Sequence, residues 1–135
     1  SDASGALTPE AVEAEVRDLM SRHAGLERDR SGLTSLLDRV TAVGRDIPDT
    51  QGWATARNLA TIARLVAAAA LTRAESRGAH FRLDHAATDP RWRRRLYVTA
   101  PGGTFQALVV RRGRYVPLPA RTPADRRPVV AEIAA

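Results

Sequence analysis

A chain of 135 residues, 44% hydrophobic and 27% charged, suits one globular domain with a modest core and excludes a disordered class. It holds no cysteine, which excludes a disulfide scaffold, thiolate zinc sites and a cysteine nucleophile. The net charge is +6, yet all 21 basic residues are arginine and most are scattered among alanines, a bias of composition that argues against a nucleic-acid interface.

Residues 1–7 carry no basic-then-apolar leader and read as a disordered N-terminal segment. Thr8-Pro9-Glu10 then opens a helix, with Thr8 as N-cap and Pro9 at the first helical position. Val12, Val16, Leu19, Met20 and His23 form its stripe, and Gly25 stops it. A second helix is expected to open at Ser31-Gly32, bury Leu33, Leu36, Leu37, Val40 and Val43, and close at Gly44. Arg45 to Gly52 reads as a turn-rich linker. The third and longest helix is expected from about Trp53 to Arg77, with Leu59, Ile62, Ala63, Val66 and Ala70 on one stripe. Its apolar run from Leu65 to Leu71 falls far short of the ~20 residues of a membrane span.

The fold class is therefore mainly α: an up-down-up, spectrin-repeat-like three-helix bundle over residues 8–95. Past Trp92 the period changes to two. Leu96 to Val98, Phe105 to Val110 and Tyr115 to Pro117, separated by the turns Thr99–Gly103 and Arg112-Gly113, make a β-hairpin or meander over 96–118. Prolines and charges mark 119–135 as a loose tail, with a final turn at Val129–Ile133.

The densest chemistry lies in "RAESRGAHFRLDH", Arg73 to His85. His80 and His85 are five apart, with Asp84 and Asp89 nearby, and Gly78 is expected to end the helix before either histidine, so no one helix face gathers them as metal ligands. Ser76 is on no strand-to-helix elbow. Glu75 and Asp84 sit among arginines, which lower a carboxyl pKa and make a poor general acid. Pro101-Gly102-Gly103 is a turn, and no dinucleotide-binding fingerprint occurs. What remains is a structural lock at the helix end. Arg77 complements the carbonyl terminus, and Gly78 supplies a left-handed cap. His80, Arg82 and Asp84 alternate with Ala79, Phe81 and Leu83 in an extended exit segment.

The same residues carry a resemblance. Arg57-Asn58-Leu59, Ala63-Arg64-Leu65 and "AALTRAESRGAHFRLD", Ala69 to Asp84, resemble the C-terminal helical domain of the L-aspartate oxidases. That group lies within the succinate dehydrogenase and fumarate reductase flavoprotein family. "RAESRGAHFRLDHAATDPRW" resembles the family's Arg-x-Glu-Ser-Arg-Gly-Ala-His signature with its following Arg-x-Asp and tryptophan. Upstream, "LMSRHAGLERDRSGL" is similar at Met20, Gly25, Arg28, Gly32 and Leu33. The short Arg45–Gly52 segment is similar to aspartate oxidases, since succinate dehydrogenases usually have a longer one.

The resemblance implies a parent enzyme in which FAD oxidises L-aspartate to iminoaspartate, which feeds quinolinate and NAD synthesis. It implies FAD in the parent protein and none in this chain, which alone is expected to be inactive. No catalytic, cofactor-binding or metal residue is assigned. The structural motif comprises Arg28, Arg57, Asn58, Arg73, Glu75, Ser76, Arg77, Gly78, His80, Arg82 and Asp84. The implied partners are the FAD-binding and capping domains of the same polypeptide, in the cytoplasm, with no membrane and with a homo-oligomer left open. The equivalent domain of a succinate dehydrogenase or fumarate reductase flavoprotein, and a free-standing arginine-rich nucleic-acid module, are the alternatives.

Overall fold

Thr8, in extended backbone, accepts a hydrogen bond from the Ala11 N–H at 3.2 Å, and α1 runs from there over Pro9–His23. The computed structural model describes residues 6–99 and 105–118. Most of the N-terminal segment 1–7, most of the turn at Thr99–Gly103 and the whole tail 119–135, with its turn at Val129–Ile133, lie outside the described residues.

The α1 helix ends at His23 because the chain must turn tightly there. A Cβ on Gly25 would lie 2.7 Å from the Ser21 carbonyl oxygen, so only glycine fits against the last turn. Asp29, not Ser31, caps the second helix, accepting from the Gly32 N–H at 2.7 Å. This helix, α2, spans Arg30–Asp46 and passes straight through Gly44. The glycine expected to close it has helical backbone and only lowers local propensity.

After a short link and a single 3₁₀ turn at Gln51–Trp53, α3 covers Ala54–Thr72. It stops five residues before the expected Arg77. Local propensity permits helix over Ala74–Arg77, but tertiary hydrogen bonds capture the chain there, as described below. The buried face of α3 is also more alanine-rich than expected: Ala56, Ala60, Ala63, Ala67 and Ala70 are buried. Ile62 is 55% exposed, and Leu59 and Val66 are half-buried. Small side chains let α1 and α2 approach closely, and those helices fill the space with Val12, Val16, Leu33, Leu36 and Val40.

The protein is thus mainly helical, with a small antiparallel sheet following the three helices. Strands β1 (Tyr97–Thr99), β2 (Gln106–Arg111) and β3 (Arg114–Pro117) form a meander in that order. Its register pairs Val98 with Ala107 and Val109 with Val116. Phe105, Ala107 and Val109 are buried, while Gln106 and Val110 between and beyond them are exposed, the period-two pattern of a one-sided sheet. Phe105 and Val98 join the helical core, and the Arg64 guanidinium lies 4.8 Å from the centre of the Phe105 ring. Arg112 (φ 49°) and Gly113 (φ 74°) form the two-residue turn between β2 and β3, both with the positive φ such hairpins need.

Candidate functional site

Every helix end exposes carbonyls without partners in the helix, and at the end of α3 they are met from a distance. Arg82 is 1% exposed, and its terminal nitrogen donates to the carbonyls of Ala70 at 2.9 Å and Leu71 at 3.1 Å. The other edge of the same guanidinium is held by Asp84 in a fork: Nε to Oδ1 at 2.8 Å and Nη2 to Oδ2 at 2.7 Å. Asp84 also accepts from the Arg30 N–H at 3.3 Å, which ties the exit segment to the start of α2. Hydrogen bonding from Arg82 holds the Asp84 carboxyl down at about 2.

Glu75 has no exposed surface at all. Arg73 donates to it at 2.8 Å, Arg77 at 3.0 and 3.2 Å, and the Asp89 N–H at 2.9 Å. Burial alone pushes this carboxyl up. The bonds from Arg77, the Asp89 N–H and Arg73 outweigh it, and the group stays below its ordinary range. Arg73 continues outward, donating to the Trp92 and Arg94 carbonyls and lying 5.4 Å from the Trp92 ring centre.

Ser76 organises the loop between these pairs. Its hydroxyl donates to the His85 carbonyl at 2.8 Å and accepts from the Arg82 N–H at 2.9 Å, and its carbonyl accepts from Thr88 at 2.8 Å. With its hydroxyl so occupied, Ser76 is a loop fastener. Gly78 does have positive φ, at 58°, but it caps no helix. It sits in a tight turn closed by two backbone bonds between Arg77 and His80, at 2.8 and 3.0 Å. The cap at the end of α3 is Arg82 instead.

His80 has a defined protonation state by elimination. Its Nε2 faces the Arg73 carbonyl at 2.9 Å and must donate, while Nδ1 faces the Arg28 guanidinium at 3.3 Å and must accept. One neutral tautomer satisfies both. Burial and the charges of Arg28, Arg82 and Arg73 lower its pKa, against the smaller opposing pull of the Arg73 carbonyl. Arg28 also donates to the Gly25 carbonyl at 3.1 Å, and its backbone forms a parallel bridge with Arg82. The alternation along this segment places charge inward and apolar groups outward: Phe81 is 38% and Leu83 52% exposed.

Nine of the residues singled out in the sequence therefore converge: Arg28, Arg73, Glu75, Ser76, Arg77, Gly78, His80, Arg82 and Asp84. Arg57 does not join them. It lies near the opposite end of α3 and donates to the Pro48 and Thr50 carbonyls, both at 2.9 Å, bracing the link from α2. Asn58 is exposed beside it. Sequence reasoning passed over Thr88 and treated Asp89 only as a metal candidate. The available signal was Asp89-Pro90, in which Asp89 accepts from the Arg91 N–H at 2.9 Å and starts a 3₁₀ turn.

The arrangement leaves little chemistry open. Among the described residues no three histidine, aspartate or glutamate side chains gather as metal ligands. The described strands form an antiparallel meander, so the described residues build no strand–glycine loop–helix cradle of the dinucleotide-binding kind. No described helix is long and apolar enough to cross a membrane.

Comparison with known proteins agrees with this geometry. A family described as fumarate reductase flavoprotein C-term matches residues 13–121. The chain is 41% identical over 93 residues to L-aspartate oxidase of Rhodospirillum rubrum, covering 69% of this chain and 31% of that protein. It is 43% identical over 82 residues to L-aspartate oxidase of Caulobacter vibrioides, covering 61% of this chain and 15% of that one. Identity to the fumarate reductase (CoM/CoB) chain of Methanothermobacter marburgensis is 30% over 102 residues, covering 67% of this chain and 19% of that protein. The Mycobacterium smegmatis Sdh1 complex in the apo form shares the fold, with a TM-score of 0.55 at 23% identity, covering 96% of this chain and 23% of that chain. The chain spans no more than 31% of the length of these relatives. With most of its length matched, the chain belongs to the fumarate reductase flavoprotein C-terminal family.

Proposed function

We propose that this chain is the C-terminal helical domain of an FAD-dependent L-aspartate oxidase, which turns L-aspartate into iminoaspartate on the route through quinolinate to NAD. Its three helices run up-down-up as a bundle. Its role is structural: it buttresses the flavin-binding and capping domains of the same polypeptide, in the cytoplasm, and by itself it is inactive. The observation that carries this reading is the closure of Glu75, which is fully enclosed and accepts from Arg73, Arg77 and the Asp89 N–H. A carboxylate so saturated has no proton to exchange with a substrate, and its worth lies in rigidity. Identities of 41% and 43% to two L-aspartate oxidases favour that branch.

The test uses the polypeptide that carries the flavin and capping domains ahead of this chain. Aspartate-dependent peroxide release by that protein, with none from this chain alone, is the expected result. Tight FAD binding by the 135-residue chain would overturn it. The second reading is the equivalent domain of a succinate dehydrogenase or fumarate reductase, favoured by the 30% identity to a fumarate reductase chain. Oxidation of succinate in place of aspartate would select it.

A further inference from the structure

A cleft of about 290 Å³ opens beside the end of α3. Val66, Ala69, Ala70 and Leu96 give it an apolar wall. Arg28, Arg73 and His80 form the rest, and no acidic residue among the described residues lines it. We propose that this cleft is a binding site for a carboxylate carried on a short apolar stem, with Arg28 as its principal partner.

The charge pattern of the network points there. Arg82 is matched by Asp84, and Arg73 and Arg77 share Glu75. Arg28 has no carboxylate among the described residues. Its two bonds go to neutral acceptors, the Gly25 carbonyl and Nδ1 of His80, through Nε and one terminal nitrogen. The other terminal nitrogen has no partner among the described residues, and Arg28 lines the cleft. A guanidinium without an anionic partner in such a place offers an incoming carboxylate a charged donor. His80 reports the same imbalance. Burial lowers its proton affinity first, and the bond to the Arg73 carbonyl opposes this. The charges of Arg28, Arg82 and Arg73 lower it further, and among the described residues no carboxylate beside the ring offsets these three guanidiniums. The apolar wall rules against a bare inorganic anion as the best occupant, because phosphate gains nothing from Val66 and Leu96.

A carboxylate of this kind has two sources: a free small organic acid, or an aspartate or glutamate side chain from the polypeptide ahead of this chain. The site itself stands apart from the proposed function, and only the second source rests on it. The three histidines of the chain, His23, His80 and His85, allow one experiment to cover both. Histidine ring resonances are titrated by NMR with sodium acetate, against sodium chloride at equal ionic strength. The expected result is a saturating response of His80 alone and a rise in its pKa of about one unit. The response should be lost in R28Q and kept in part in R28K. A silent acetate arm, with His80 titrating higher in the longer polypeptide and reverting there in R28Q, assigns the site to a protein side chain. If His80 moves in neither arm, or moves equally in R28Q, the proposal is overturned.

Discussion

Arg82 donates to the Ala70 carbonyl at 2.9 Å, twelve residues back along the chain. A tertiary arginine therefore does at the end of α3 what a local glycine does at many helix ends. The same guanidinium is oriented by Asp84, so the cap and its anchor form one unit.

Replacing Arg82 should cost more than any surface arginine does. In R82M the carbonyls of Ala70 and Leu71 lose their partner and Asp84 loses its cation, a loss expected to be ~3–5 kcal/mol. R82K should recover less than half of it, because an ammonium cannot fork onto a carboxylate while bonding two carbonyls. Urea denaturation measures both, and an R82K protein within about 1 kcal/mol of the parent would contradict the capping role.

Glu75 tests the buried pairing from the other side. E75Q keeps the shape but leaves Arg73 and Arg77 without their shared anion, for an expected loss of ~3 kcal/mol. The double variant E75Q/R77M should be less than additive with the two singles, since they remove one interaction. Strict additivity in thermal or urea unfolding would show that the two do not act together.

The pKa shifts give the acid limb of stability a definite sign. Asp84 is held at about 2, below its ordinary 3.8, so the folded state binds fewer protons and its contribution is complete above about pH 4. That contribution is lost as pH falls from there toward 2. Allowing for solvent at a partly exposed carboxyl, it is worth ~1 kcal/mol. His80 also has a lowered pKa, and for a base this too favours the fold above its unfolded value near 6.5. Stability should therefore begin to fall just below pH 6.5 and fall again below 4. In H80Q the first of these steps should vanish, as read by unfolding free energy against pH.

The glycines separate into opposite predictions. Gly44 has helical backbone within α2 and open space where a Cβ would stand, so G44A should stabilise by ~0.5–1 kcal/mol. Gly78 also has open space but a φ of 58°, so G78A should destabilise by ~1 kcal/mol. At Gly25 a Cβ would meet the Ser21 carbonyl oxygen at 2.7 Å, and G25A should displace the end of α1. Melting temperatures of the three variants check the order directly; equal effects at Gly44 and Gly78 would contradict it.

Much of this was legible in the chain itself. Thr8-Pro9 marks the start of α1, the leucine stripe marks the buried face of α2, and Arg112-Gly113 marks a hairpin, because each depends only on neighbours a few residues away. The Glu75 and Arg82 cluster was visible as a set, since charges so close to an apolar helix must pair. What the sequence alone did not decide was who pairs with whom. Nothing local ends α3 at Thr72, and Ala74 to Arg77 leave the helix because Glu75 collects donors from residue 89 and Arg82 returns to carbonyl 70. Nor does spacing show that Arg57 belongs to a different end of the molecule, or that His80 is squeezed between Arg28 and a carbonyl. Those outcomes rest on long-range hydrogen bonds. Their strength depends on shared burial, which exists only once the three helices have packed.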